Sequence, residues 1–416
     1  MALRKALLSG LAALGLAGSV LASPAQDLFD QATFLIGFYY NGPSKVPNFR
    51  ELRQRYQPEL QRLCAAEGDR CGFDKARQVI QRIVQDIADP FTMLLTREQL
   101  IDDQRYGAGL GPAAPWVGLW VRETPRGLVV SEAFPGEPAF EAGLRRGDLI
   151  TQVAGQPATL ARLSAAEASR SAFSLGYSRR GSARTVTLTP RVAGATMQPR
   201  LEINNNIAYL RVYHLYSSES YSTAQRIHDA ARRAEQAGAR GMIIDLRDAL
   251  TGYDSEALLS AAAFIGKGGF IYDRRFEGQD ETYTVENGKL FVQLEGEERE
   301  EQSALERPYL ARIIPLVVLV NRNTFNSAEM LAYFLQAAGR AKVVGEPTAG
   351  ALGMSGSAEG PLINGEFIAV SSLRMRNLDG SPFPLKVSPD VVVEDDLEAL
   401  VAGCDRILER ALEMLR

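Results

Sequence analysis

The residues best placed to do chemistry lie between Asn321 and Gly350, NRNTFNSAEMLAYFLQAAGRAKVVGEPTAG. An apolar run from Ile313 to Val320 precedes them and reads as a buried strand. A polar turn follows, a helical pattern begins at Ala328, and Gly339 leads to a second short strand at Val343. A strand, a tight turn and a helix is how an α/β enzyme presents a nucleophile above its sheet. Ser327 stands in that turn. A serine hydroxyl attacking a carbonyl needs a neutral base in reach and N–H groups that hold the oxyanion. Three bases can be drawn: His214 oriented by Glu219, Lys342, and Lys386. Each residue also has a plainer reading. His214 suits a satisfied or exposed loop histidine, the lysines suit the surface, and Ser327 suits a helix N-cap, with Asn326 the other cap candidate. His228 falls in a helical pattern and is expected to be exposed.

The 416 residues suffice for two or three domains. A net charge of −4, from 46 basic and 50 acidic side chains, leaves no electrostatic footprint for nucleic acid. The densest charge run, Glu295 to Glu301, reads as a solvated helix or loop. Residues 1–22 read as a secretory signal peptide: Arg4 and Lys5, an apolar stretch from Ala6 to Leu21, then the small-residue site Val20-Leu21-Ala22. The expected location is therefore extracytoplasmic, periplasmic or secreted, with a membrane anchor as the alternative if the segment is kept. No later run is apolar enough to span a bilayer. Export makes a local Cys64–Cys71 disulfide reasonable across the turn AlaAlaGluGlyAspArg, and Cys404 is expected as a buried thiol. With two histidines and no clustered Cys/His spacing, neither a metal site nor a cofactor is expected.

The elements that must position the turn read as follows. Residues 27–105 carry helical spacing, in Phe29, Phe34, Leu35 and Phe38, in Leu52, Tyr56 and Leu60, and in Val79, Ile80, Ile83, Val84 and Ile87. From Leu201 onward strands and helices alternate, with strands at 207–212, 241–246, 313–320, 342–345 and 368–373. Helices fall at 221–237, 255–265 and 328–338, and a last one at 397–415. That alternation argues for a mostly parallel sheet covered by helices. The fold class expected is multidomain α/β: an N-terminal helical segment, a β-rich domain, and an α/β core from 193 to 416.

Residues 107–192 resemble a PDZ domain through Pro138-Ala139, Ala142-Gly143-Leu144, Gly147-Asp148-Leu149-Ile150 and Val153-Ala154-Gly155. The resemblance implies a carboxylate-binding loop at Val117, Gly118, Leu119 and Trp120, a groove for peptide C-termini, and peptide addition as a strand. Trp116 and Trp120 can also serve simply as core.

The whole chain resembles the C-terminal processing serine proteases, peptidase family S41. The matching segments are AspProPheThr at 89–92, IleAlaTyrLeuArgVal at 207–212 and MetIleIleAspLeuArg at 242–247. GlyArgAla at 339–341, GlyGluProThrAlaGly at 345–350 and ValSerProAspValValVal at 387–393 complete the set. The resemblance places the family's nucleophile three residues before Glu329, which is Asn326 here. It places the base lysine at Ala351, the orienting glutamine at Ser355, and the glycine-rich oxyanion segment at Asp248 to Gly252, where Gly252 alone remains. A related branch uses a histidine at the position of Phe91. An amide cannot serve as this nucleophile, and losing one reactive group typically costs orders of magnitude in rate. Two functions follow: an exported S41-type homologue that binds protein C-termini or pairs with a paralogous protease, without proteolysis, or a serine endopeptidase that uses Ser327 with a non-standard base.

Overall fold

The computed structural model describes residues 23–46, 48–194, 197–274, 279–311, 314–359 and 361–416; the expected signal segment at 1–22 lies outside them. The chain divides into two compact units. One holds the residues up to Leu95 together with 357–370, the other 96–356 with 371–416.

The first unit is built on three helices, Pro24–Tyr39, Phe49–Cys64 and Phe73–Ile87. Ser23 and Asn48 cap the first two by accepting hydrogen bonds from first-turn amides. Val79, Ile80, Ile83 and Ile87 form the buried stripe of the third and pack with Leu28, Phe29, Leu52 and Leu60. Cys64 and Cys71 are joined as a disulfide. Phe34 and Phe38 lie 46% and 43% exposed, stacked on each other, so part of that periodicity faces outward. The strand Met93–Leu95 pairs antiparallel with residues 367–369.

The second unit holds the site. Its core sheet runs in the order Val391–Val392, Lys342–Gly345, Leu316–Val320, Gly241–Asp245, Ile207–Arg211, Arg200–Asn204. All neighbours are parallel except the last pair. The central strands read LVVLV and GMIID and are buried throughout, as strands covered on both faces must be. The helices Thr223–Gln236, Asp254–Ile265 and Ser327–Ala337 contribute to its main apolar core. A separate antiparallel sheet spans Leu119–Thr124, Gly127–Ala133, Leu149–Val153, Phe173–Arg179 and Ser182–Leu188, with the helix Leu160–Ala168 packed into its core.

The fold is mixed α/β with several sheets, but only the core sheet is mostly parallel. A meander of four antiparallel strands, Lys267–Arg274, Gln279–Glu286, Lys289–Leu294 and Glu300–Ala304, has no counterpart in the sequence reading. It places the end of the Glu295 to Glu301 run in an exposed edge strand rather than a helix or loop. The strand Phe367–Arg376 joins this antiparallel system through residues 374–376. The single helix expected over 397–415 is two, Leu397–Ala402 and Arg406–Met414, divided at the left-handed Gly403. Cys404, in that break, is exposed rather than buried. His228 is buried rather than exposed: Nε2 lies 2.9 Å from the Leu259 carbonyl, and Nδ1 accepts from the Tyr309 amide at 2.8 Å.

Candidate functional site

The turn between the strand Leu316–Val320 and the helix Ser327–Ala337 is held from three sides. Asn321 N–H donates to Thr324 Oγ1 at 3.0 Å, and Thr324 Oγ1 donates to the Leu246 carbonyl at 2.9 Å. Asn326, not Ser327, is the residue preceding the helix. It adopts φ 49°, ψ −109°, a conformation that residues other than glycine rarely take. Its side chain is committed: Oδ1 accepts from Thr251 Oγ1 at 2.6 Å, and Nδ2 donates to the Met354 carbonyl at 3.1 Å. Ser327 is the first helical residue and fully buried, and its hydroxyl has no hydrogen-bond partner among the described residues.

Glu329 joins this turn to the segment holding Ala351. Oε1 accepts from Thr348 Oγ1 at 2.5 Å and from Gly350 N at 3.0 Å. Oε2 accepts from Asn326 N at 2.8 Å and from Ala351 N at 2.9 Å. Burial pushes this carboxyl upward, and the four donors pull against that shift. Asn326 and Ala351, the positions that the resemblance assigns to nucleophile and base, are thus brought to one carboxylate. Both are buried, and neither carries a group able to attack or to take a proton at neutral pH.

The segment after Asp245-Leu246-Arg247 is closed. Asp248 takes φ 57°, and its Oδ1 accepts from Arg122, from Asn321 Nδ2 at 3.1 Å and from Asn323 Nδ2 at 2.8 Å. Its own amide donates to Asn321 Oδ1 at 3.0 Å. The amides of Leu250 and Tyr253 donate to the carbonyls of Tyr213 and Leu215. Gly252 allows a close backbone approach, for a Cβ there would fall 2.2 Å from the Leu215 carbonyl. These amides are spent inside the fold and do not converge on an oxyanion. A buried ionic network underlies the segment. Arg247 binds Asp245 and Asp405, both at 2.6 Å, and Tyr209 donates to Asp245. The arginines hold Asp245 and Asp405 well below the usual carboxylate range against the opposing cost of burial.

The drawn bases do not meet Ser327. His214 is buried beside Tyr106, Tyr216 and Tyr221, and its Nδ1 accepts from the Tyr216 amide at 3.2 Å. Burial depresses it to about 3, so it is neutral. Glu219 is exposed on the following turn, so the drawn triad does not form. Lys342 is exposed and paired with Asp390 at 2.9 Å, and Lys386 is exposed. Ser355, at the glutamine position, is half-buried and hydrogen-bonds Asp254. Burial raises Asp254 to about 6, while Ser355 and the Tyr272 hydroxyl, at 2.5 Å, hold it down.

The loop Val117 to Trp120 lies at the start of the strand Leu119–Thr124, an edge strand of its sheet. Gly118 has φ 82°, and a Cβ there would fall 2.1 Å from Glu137 Cβ, so only glycine fits. Val117 N–H donates to Glu167 Oε1 at 2.9 Å. Trp116 and Trp120 pack on Phe134, and Trp120 also meets Tyr213. A groove of about 400 Å³ runs between the edge strand and the helix Leu160–Ala168, lined in part by Leu160, Leu163 and Glu167.

The model for peptidase family S41 matches residues 206–393. The carboxy-terminal processing protease CtpA of Bacillus subtilis is 24% identical over 278 residues, covering 65% of this chain and 54% of that protein. The carboxyl-terminal-processing protease of a Synechocystis species is 27% identical over 353 residues, 81% of this chain and 76% of its own. Among solved structures, the photosystem II D1 C-terminal processing protease superposes with a TM-score of 0.51 at 20% identity, covering 92% of this chain and 98% of that one. The match to the peptidase family S41 model thus covers the core from residue 206 to 393, and the resemblance to carboxyl-terminal processing proteases extends over 65% to 81% of the chain.

Four site residues escaped the sequence reading as actors. Glu329 was a landmark only, although Asn326-x-x-Glu329 has capping-box spacing. Glu167 shares one helical face with Leu160, Leu163 and Ser164, which marks it as groove-facing. Asp248 and Arg122 carry no local signal, because their pairing joins residues far apart in sequence.

Proposed function

We propose that this protein is an S41-family polypeptide-binding homologue that does not hydrolyse peptide bonds. The observation that carries the reading is the fully buried Ser327 hydroxyl with no partner among the described residues, beside Asn326 and the Ala351 segment that Glu329 ties to it. The amides of Asp248, Leu250 and Tyr253, engaged inside the fold, support it, since those three are not offered to an oxyanion. Residues 107–192 act in this reading as a PDZ-type module, supported by the open edge strand, the Gly118 loop and the groove beside Leu160 and Leu163. An extended polypeptide adds along Leu119–Thr124 and seats apolar side chains against that helix. A paralogous protease is the alternative partner. An extracytoplasmic location belongs to the same reading and is supported by the Cys64–Cys71 disulfide.

Purified protein incubated with unstructured β-casein and with a biotinylated serine-reactive phosphonate tests the reading. Intact casein and no labelling are expected. Cleavage abolished by Ser327→Ala would instead establish a serine endopeptidase with an unconventional base.

A further inference from the structure

The end of the groove that would receive a peptide carboxylate is already occupied by the protein's own. Capture of a terminal carboxylate needs free amides at the loop and no competing negative charge. Val117 N–H is given to Glu167 Oε1 at 2.9 Å. The carbonyls of Val117 and Gly118 accept from Ala139 and Phe134 and can only repel a carboxylate. Glu137 is buried with its Cβ against Gly118, and its carboxylate takes the Gly194 amide at 3.3 Å. Arg191, 3.3 Å from Glu137 Oε2, is committed to that acid. At the other end of the strand, Arg122 is bound by Asp248 and by Asp395, the latter at 2.9 Å.

The apolar part of the groove is intact. Leu160 and Leu163 lie on the same helical face as Glu167 and line the groove together with Leu119, Trp120 and Leu250. The site therefore offers an apolar channel and a strand edge, with the Glu167 carboxylate seated on the first amide of the loop.

We propose that this groove takes an internal extended segment of a polypeptide, presenting a neutral or cationic hydrogen-bond donor to Glu167, and rejects a free C-terminal carboxylate. The inference rests on the peptide-binding reading and refines which part of a chain is bound. Glu167 is the specificity-determining residue. It would bond a backbone amide, an Asn or a Lys of the passing segment, and would repel a terminal carboxylate both by its charge and by holding the Val117 amide.

Two fluorescein-labelled decapeptides of one apolar sequence test this, identical except that one ends in a free acid and the other in an amide. Anisotropy titrations at pH 8 use the full chain, because Glu167, raised to about 7 by burial, is charged there. The amide is expected to bind about tenfold tighter than the acid, a modest penalty for like charges meeting at an interface. In Glu167→Gln the preference is expected to vanish or reverse. Equal or tighter binding of the acid by the wild-type protein overturns the inference and leaves the peptide-binding reading standing. An amide preference unchanged in Glu167→Gln, with a wild-type thermal melt, also overturns it. Failure of both peptides to bind either protein overturns the peptide-binding reading, and this inference with it.

Discussion

Replacing Glu329 by glutamine tests what holds the turn before the helix Ser327–Ala337 in place. The carboxylate divides four donors between two oxygens, Thr348 and Gly350 on one, Asn326 and Ala351 on the other. Glutamine keeps one acceptor oxygen and puts an NH₂ group against the second pair of donors. The least costly arrangement turns the amide nitrogen toward Thr348, whose hydroxyl can rotate and accept. The Gly350 N–H is then left without a partner, and the remaining bonds lose their ionic assistance. A stranded buried donor costs about 1–3 kcal/mol and the lost charge adds to it, so about 2–4 kcal/mol is expected. Because the chain forms two units, a local readout is preferable to a global melt. Amide hydrogen exchange at Gly350 and Ala351 should accelerate roughly 30- to 1000-fold, the factor that this free energy sets. Amides in the strand Leu149–Val153 should be unchanged. Exchange at Gly350 and Ala351 within about threefold of wild type would show that Glu329 does not hold the two segments together.

Further outcomes follow from single contacts. Gly118→Ala forces a Cβ to 2.1 Å from Glu137 in a left-handed conformation; a loss of about 3 kcal/mol in urea denaturation and of peptide binding is expected. Asp254 is raised from 3.8 to about 6, so its contribution to stability is complete below pH 4 and is lost as pH rises through 6, a change of about 3 kcal/mol. Urea midpoints at pH 4.5 and 8 should differ by correspondingly less in Asp254→Asn than in wild type. Removing the disulfide by Cys64→Ser should destabilise the helical unit by about 2–3 kcal/mol, read as a lower first transition in calorimetry, with the second unit's transition unmoved.

The order of elements in the core was legible because each announced itself locally. LVVLV at 316–320 and GMIID at 241–245 are buried runs bounded by turn residues, and the helix from Ser327 follows its apolar spacing to Gly339. The meander from Lys267 to Ala304 was not legible, since its strands are largely polar and partly exposed, and strand pairing is a non-local property. The break at Gly403 was readable as a helix stop, but the apolar pattern on either side of it masked the change. At the site, residue identity alone marked Asn326 and Ala351 as unreactive. What surrounds them was hidden. The burial of His214 and His228, the Arg122–Asp248 pair and the hold of Glu167 on Val117 all depend on contacts between distant segments, which no local pattern encodes.

The proposal to be decided is that this S41-like fold holds a site without a working nucleophile. Titration of the purified chain with the serine-reactive phosphonate, followed by intact-mass spectrometry, tests it most directly. An unmodified mass after prolonged exposure is expected, identical for wild type and Ser327→Ala. A stoichiometric adduct that maps to Ser327 and disappears in Ser327→Ala would contradict it.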